Sequence, residues 1–450
     1  MDLATRFNGE IINGDAMQMY RGLPIITNQI PVQERNGIPH HLISCVDLES
    51  EPWRIGIFKE KCLQIIRDIH LRGKLPILVG GTHYYTQAVL FKDQLVREPD
   101  RNENFDSEGQ LSDSAGSSSE KWPILNAPTP VVLQKLREVD PVMADRWHPN
   151  ETRKIRRSLE IFFQTGKPAS DIYSEQKERR RQVVEKDSHR ASDESSTGPL
   201  NFRSLIFWVH TDRETLNSRL DARVGAMFEQ GLMSETEKML SYVQERQSQG
   251  VRVDETRGVW VSIGFKELKP YFITLSQGSS SKEDLDALKN SCVESIKTAT
   301  RQYAVSQVKW IRNKFWRALI ESNMTPCFYL LDSSNVAAWK VCITQPSESL
   351  VHSFLKSEPL PNPKSISESA RIILGAKEAQ TSSNSSDIPK CITCDVCRKT
   401  MINEEQWKIH INGHAHKRAL KAMAKKKERE KFLRDRCSLQ NSQACVNKED

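Results

Sequence analysis

Three short apolar runs, at residues 10–13, at Leu75–Val79 and at 205–210, each pass directly into a turn or a helical pattern. Alternation of that kind predicts an α/β layer with a mostly parallel sheet. Between the first two runs, residues 57–72 carry Phe58, Cys62, Ile65, Ile66 and Ile69 at helical spacing and give way to Gly73. This reads as an amphipathic crossover helix that returns the chain to the next parallel strand. Residues 129–173 place Leu133, Leu136, Val139, Ile155, Leu159, Ile161 and Phe162 at helical positions, and predict a small helical lobe inserted into the α/β core. Further helical blocks are predicted over 211–243 and 284–318, the latter rich in Lys and Arg.

A chain of 450 residues can build two or three domains. Only 38% of it is hydrophobic, so part is expected to stay unpacked. Residues 106–120 are acidic and Ser-rich, 177–198 are highly charged, and 357–387 are rich in Pro, Ser and Asn; all three read as insertions or linkers. The predicted organisation is an α/β core over 1–125, a helical insertion with charged linker over 126–204 and the second part of the core over 205–340. A linker over 341–388, a finger over 389–418 and a basic disordered tail over 419–450 complete it. The longest apolar runs fall far short of the roughly 20 residues a membrane helix needs, which predicts a soluble protein. The first residues, Met1-Asp2-Leu3-Ala4-Thr5-Arg6, have neither a secretory core nor transit-peptide character.

Ten cysteines are scattered without a framework, and only Cys391, Cys394 and Cys397 cluster. That usage suits reduced thiols and a metal site. Cys394-x2-Cys397-x12-His410-x5-His416 is spaced to close a tetrahedral zinc site of structural type, with no open coordination position. Trp407 is predicted to fill the finger's small core. Residues 417–436 follow with ten Lys/Arg against three Asp/Glu. Finger and tail together predict a nucleic-acid grip that weakens steeply with salt.

At the end of the first run, Asn13-Gly14-Asp15 sets a carboxylate and an amide in a turn. A carboxylate at the C-terminal end of a strand in an open α/β sheet sits where ligands of such folds bind. It can accept a proton from a nucleophile, and it can equally be a helix N-cap. Leu75–Val79 runs into Gly80-Gly81-Thr82, where bare backbone N–H groups and a hydroxyl can approach an anionic oxygen, or which forms a plain loop. Arg153, Arg156 and Arg157 share a helix face by their spacing, either as a solvated charged face or as contacts to phosphate. Arg219, Arg223 and Lys266 could offset diphosphate charge or serve in surface ion pairs.

Several of these segments match one family. They are Asp15-x-x-Gln18-x-Tyr20 after a strand, Gly80-Gly81-Thr82-x-x-Tyr85, and His148-Pro149-x-x-x-Arg153-Lys154-Ile155-x-Arg157-x-Leu159-Glu160 running on to Thr165-Gly166-x-Pro168-x-Ser170. Arg219-Leu220-x-x-Arg223, Gly231-Leu232 with Glu235, Ile263-Gly264-Phe265-Lys266-Glu267 and Thr300-Arg301-x-Tyr303-Ala304-x-x-Gln307-x-x-Trp310-x-Arg312 extend the match. With the Cys/His cluster, the chain resembles the eukaryotic tRNA dimethylallyltransferases, also called tRNA isopentenyltransferases. The resemblance implies a P-loop NTPase-like parallel sheet core, an inserted tRNA-binding lobe and a C-terminal Cys2His2-type zinc finger. It implies transfer of a dimethylallyl group from its diphosphate to N6 of the adenosine 3′-adjacent to the anticodon.

In that reading Asp15, Thr82 and Lys266 are catalytic, with Asp15 as general base. Ala16, Met17, Gln18, Thr27, Arg219 and Arg223 bind substrate. Arg153, Arg156, Arg157, Arg301, Gln307, Trp310, Arg312, Lys417 and Arg418 contact RNA. Cys394, Cys397, His410 and His416 hold zinc, and magnesium accompanies the diphosphate. The implied partners are a tRNA anticodon stem-loop and dimethylallyl diphosphate, with no membrane, for a monomer that is cytoplasmic and in longer forms also mitochondrial or nuclear. Val305 and Ser306 stand where relatives commonly carry a basic residue.

The family's phosphate loop, Gly-x-x-x-x-Gly-Lys-Ser/Thr, is not among these residues. Gly-Lys occurs only at Gly73-Lys74 and Gly166-Lys167, neither followed by Ser or Thr. We therefore expect a chain that starts after that loop and its strand, with impaired catalysis. Two rival readings follow: a tRNA-binding zinc-finger protein with a vestigial transferase core, and a nucleotide kinase sharing the core layout. The second would need the loop lysine and leaves the finger unexplained.

Overall fold

In a computed structural model of the protein, the described residues are 1–92, 121–189, 200–278, 280–381, 392–397, 399–401 and 404–424. The predicted insertion at 106–120, Cys391 and the tail beyond 424 lie outside them. The chain divides into two units, Met1–Leu95 with Arg179–Ser383, and Val96–Glu178 with Asn384–Asp450.

In the first unit, β1 (Gly9–Asn13) lies between β2 (His40–His41) and β3 (Leu75–Val79), parallel to both. Every β1 residue is buried, as a strand covered on both faces must be. The short helix α1 (Asp2–Arg6) precedes β1. Helix α2 (Ile55–Leu71) makes the predicted crossover and buries Phe58, Cys62, Ile66 and Ile69, each apolar side chain contributing about 1.5–3 kcal/mol. Phe58 stacks on Tyr85 at 4.5 Å.

Gly73 ends α2 in the left-handed region (φ 67°). Its N–H donates to the His70 carbonyl and that of Lys74 to the Ile69 carbonyl, the paired bonds of a Schellman stop. This stop brings Arg72 and Lys74 to the buried Glu10 of β1, at 2.6 and 2.9 Å, with His41 at 2.7 Å. Burial alone would raise the Glu10 carboxyl, but the hydrogen bonds from Lys74, Arg72 and His41 hold it down at about 2. The folded-state value lies below the ordinary 4.5, so this stability is present above pH 4.5 and is lost as pH falls toward 2. Glu10→Gln is expected to cost about 2–3 kcal/mol at pH 7 and to flatten the acid limb of the stability curve, as read by urea denaturation between pH 3 and pH 7.

A second parallel pair, β4 (Ile206–His210) and β5 (Phe328–Asp332), forms its own two-stranded sheet. Among the described residues the free edges of β3 and β4 carry no further strand. The sequence reading found β4 but not β5. Phe328 packs against Trp208, Phe315 and Trp316 in a core separate from that of β1. Helices α3 (His83–Leu90), α8 (Arg213–Glu229), α9 (Leu232–Ser248), α10 (Phe265–Gln277) and α11 (Lys282–Trp310) contribute side chains to the core of β1. A π-helical turn, Ile311–Phe315, joins α11 to α12 (Trp316–Glu321).

The predicted linker over 341–388 is corrected for its described part. Residues Gln345–Leu355 and Glu368–Thr381 are helices α13 and α14. Ala370 and Leu374, one helical turn apart, are buried in the β4–β5 core, and burial of that stripe overrides the polar composition.

In the second unit, α4 (Thr129–Val139), α5 (Pro141–Arg146) and α6 (Thr152–Thr165) form the predicted lobe around Leu133, Leu136, Met143, Ile155 and Leu159. Buried Asp140 accepts from the N–H groups of Met143 (3.0 Å) and Ser170 (2.9 Å), capping α5 and holding the start of the helix that begins at Ala169. Helix α7 (Ala169–His189) runs through the first part of the predicted charged linker, since its charged residues are good helix formers. The finger has an antiparallel pair, β6 (Ile392–Thr393) and β7 (Thr400–Met401), followed by α15 (Glu404–Asn412) and, after Gly413, a helical run over 414–424.

Candidate active site and zinc centre

Strands β1 and β3 end side by side, Asn13 opposite Val79. The two turns that follow are built into each other. The Gly14 N–H donates to the Val79 carbonyl at 2.7 Å, and a Cβ on Gly80 would lie 2.3 Å from the carbonyl carbon of Gly14. Only glycine permits that approach. Asn13, buried on β1, shapes the turn with its amide: Oδ1 accepts from the Asp15 N–H at 2.9 Å, and Nδ2 donates to the carbonyls of Asp15 and Leu42.

Asp15 is thereby held half-buried at the C-terminal end of the sheet. Its Oδ1 accepts from the Met17 N–H at 2.9 Å, and its Oδ2 lies over Gly81, 3.6 Å from where a Cβ would sit. Burial pushes its carboxyl up, opposed by the N–H groups of Met17 and Gln18 and by the charge of Arg223. The Thr82 hydroxyl accepts from the Ala16 N–H at 3.1 Å, tying the two turns together. Gln18 donates to the Asn28 carbonyl at 3.0 Å. Tyr303 of α11, 47% exposed, lies within electrostatic range of Asp15 and is bonded to Gln307.

Other predicted site residues have different surroundings. Arg219 donates to the carbonyls of Ser333 and Ser334 at the end of β5 (2.8 and 3.1 Å). Arg301 is clamped by both oxygens of Asp221 at 2.7 and 2.6 Å. Thr27 is buried and bonded to the Leu23 carbonyl and Gln29. Lys266 is exposed in the first turn of α10, 3.8 Å from Glu267, and forms no hydrogen bond to the Asp15 cluster among the described residues. Trp310 meets Tyr84 edge-on at 6.1 Å and lies under the Lys314 ammonium. The Nε atoms of Trp310 and Arg312 are buried without an acceptor.

On α6, Arg153 is exposed, Arg157 bonds Glu160 at 2.7 Å, and Arg156 is half-buried with its Nε unpaired. Four cations, Arg153, Lys154, Arg156 and Arg157, thus occupy the first two turns of a helix, where the dipole disfavours positive charge and an anion would be held.

In the finger, one ligand atom from each of Cys394, Cys397, His410 and His416 lies within 4.8 Å of the others. His416 Nδ1 is 3.5 and 3.4 Å from the two sulfurs. Zinc–sulfur and zinc–nitrogen bonds of about 2.3 and 2.0 Å in a tetrahedron set such pairs about 3.5 Å apart, so the four residues fit zinc. His410 Nε2 is buried with no other partner, as a ligand would be. Structural zinc contributes about 10–16 kcal/mol to folding such modules. Chelation, or Cys394→Ser, is expected to unfold the finger and release one zinc per chain. Metal release with a chromophoric chelator, read beside the helical circular dichroism signal, checks this. Lys417 and Arg418 are exposed on the helical run that carries His416.

An α/β core with a half-buried carboxylate at its strand ends, joined to a Cys2His2-type finger, fits an enzyme that acts on nucleic acid. The sequence profile of the IPP transferase family matches residues 18–314, and that of a zinc-finger double-stranded RNA-binding family matches 391–417. The chain belongs to the IPP transferase family. It is 34% identical to the tRNA dimethylallyltransferase of Schizosaccharomyces pombe, over 97% of this chain and 94% of that one. It is 34% identical to the Saccharomyces cerevisiae enzyme (96% and 91%) and 30% identical to the human one (94% and 82%). A crystal structure of a eukaryotic dimethylallyltransferase acting on tRNA superposes with a TM-score of 0.73 at 32% identity, covering 96% and 95% of the two chains.

Asn13, Tyr303 and Glu235 are site features that the sequence reading left without a role. Asn13 had a signal in the Asn-Gly-Asp turn itself, and Tyr303 lay inside a matched segment.

Proposed function

We propose that this chain transfers a dimethylallyl group from dimethylallyl diphosphate to N6 of the adenosine 3′-adjacent to the anticodon in tRNA. The observation that carries the reading is the Asp15 carboxylate, half-buried at the end of β1 with its basicity raised, three residues before the family-profile match begins. The adenine is drawn out of the anticodon-loop stack toward that carboxylate, at a cost of a few kcal/mol. The N6–C1 bond forms as the C1–O bond breaks. Pyrophosphate leaves with the electron pair, and the N6 proton passes to Asp15. Thr82, whose oxygen already accepts the Ala16 N–H, faces the reacting groups with its own O–H free to donate. Arg223 and Arg219 offset charge on the leaving oxygens.

Magnesium would arrive with the diphosphate. When bound there, it would offset charge developing on the leaving pyrophosphate oxygens. The cationic start of α6, Lys417 and Arg418 would contact RNA phosphates, which orient the substrate without reading its sequence.

Mass spectrometry of an anticodon stem-loop incubated with the chain, magnesium and saturating dimethylallyl diphosphate tests the reading. One dimethylallyl group gained at the expected adenosine, and none on a stem-loop with guanosine there, is the expected result. RNA bound without transfer would overturn it in favour of the RNA-binding reading.

A further inference from the structure

Glu235, in the first turn of α9, is 6% exposed and has no ion-pair partner among the described residues. A buried carboxylate of that kind persists only where strong donors satisfy it. Its donors come from more than 200 residues away: the Ile25 N–H at 3.1 Å and the Ile26 N–H at 2.5 Å. Residues 23–29 form a short helical turn, with Thr27 N–H donating to the Leu23 carbonyl, Asn28 to Ile25 and Gln29 to Pro24. The first N–H groups of such a turn have no partner within it, and Pro24 has no N–H at all. Glu235 therefore caps this turn from a distant helix.

The capped turn in turn holds the segment that carries Asp15. Its Asn28 carbonyl accepts from Gln18 Nε2 at 3.0 Å. Gln29 Nε2 donates to the Tyr20 carbonyl at 2.8 Å, and Gln29 Oε1 accepts from Ser44 at 2.6 Å. Gln18 is three residues from Asp15 and half-buried, and its amide ends this chain of bonds.

We propose that Glu235 is a positioning residue for RNA recognition: its carboxylate fixes the 23–29 turn, which orients the Gln18 amide toward the bound RNA. This rests on the reading that the Asp15–Gln18 segment faces the target adenosine. Glu235→Gln replaces one acceptor with an NH2 that opposes a backbone N–H. It is expected to raise the KM for the stem-loop about tenfold, the equivalent of about one lost hydrogen bond, with kcat and the KM for dimethylallyl diphosphate little changed. Gln29→Ala, which releases the same turn from its other side without disturbing the α9 core, is expected to give the same signature.

The decisive measurement is a double-mutant cycle with Gln18→Ala, read both as KM and as RNA Kd. If Glu235 acts through Gln18, Glu235→Gln adds little in the Gln18→Ala background. Equal penalties in both backgrounds, or a loss of kcat that tracks a loss of thermal stability, would overturn the proposal in favour of a purely structural role. Because the Kd arm needs no turnover, the coupling can be judged even if the transferase reading itself fails in the wild-type assay.

Discussion

Asp15→Asn is expected to lower the transfer rate by about 10²–10⁴-fold, the range for removal of a general base, and to leave stem-loop affinity close to that of the parent. Asparagine keeps the size of the side chain and an oxygen to accept the Met17 N–H, so the turn stays closed. Burial raises the Asp15 carboxyl above its ordinary 3.8. A base must be ionised, so the acid limb of kcat/KM should lie above the ordinary aspartate range and vanish in the residual activity of the variant. The same shift has a stability sign. The folded state binds this proton more tightly than the unfolded state does, so the ionised carboxylate weakens the fold at neutral pH and ceases to do so in acid. The variant should therefore melt no lower than the parent at pH 7. Single-turnover rates across pH, with thermal melts beside them, check both parts; a fully active variant would remove Asp15 from the mechanism.

Gly80→Ala should have the largest structural effect of any single methyl added to this site. The new Cβ would lie 2.3, 2.5 and 2.6 Å from the C, O and Cα of Gly14. All three are backbone atoms, so no rotamer change relieves the clash; the ends of β1 and β3 must separate. A loss of about 3 kcal/mol or more is expected, at the upper end for overpacking, with transfer abolished because Asp15 and Thr82 part. Gly81→Ala is the control: its Cβ would meet Asp15 Oδ2 at an ordinary 3.6 Å, giving near-parental stability with a methyl against the base. Denaturant midpoints and turnover for the pair separate the two effects. Parental stability in Gly80→Ala would show that the crossing can relax.

The paired turns that carry Asp15 and Thr82 were legible because their signals are local. Asp15 and Thr82 each follow an apolar run and a glycine, and strand, turn and side chain occur within a few residues. The zinc ligands were legible for the same reason. Strand β5 was missed even though Asn323, at φ 53°, and Pro326 end the helix before it, because five residues are too few to show a period and only burial on both faces identifies them. Residues 341–381 read as linker because Pro and Ser recur along the segment and interrupt the spacing of its apolar positions. Glu235 was visible as a residue but not as a cap, since its partners are backbone N–H groups with no side-chain signature and more than 200 positions of separation. Arg301 and Lys266 illustrate the converse: a cation's type and position do not reveal whether a carboxylate such as Asp221 will claim it.

The π-helical turn at Ile311–Phe315 sets the phase between two halves of one long rod. Upstream, α11 seats Cys292 and Ile296 in the core beneath β1; downstream, Phe315, Trp316 and Leu319 enter the core beneath β4 and β5. Each residue advances a helix by about 100°, and a π turn accommodates one extra residue. Deleting a single residue there would restore a regular helix yet turn the second apolar stripe by that angle, swinging Phe315, Trp316 and Leu319 out of register with their sheet. The rod thus behaves as a keyed shaft between two cores, and the length of this five-residue segment should tolerate change far less than its composition does.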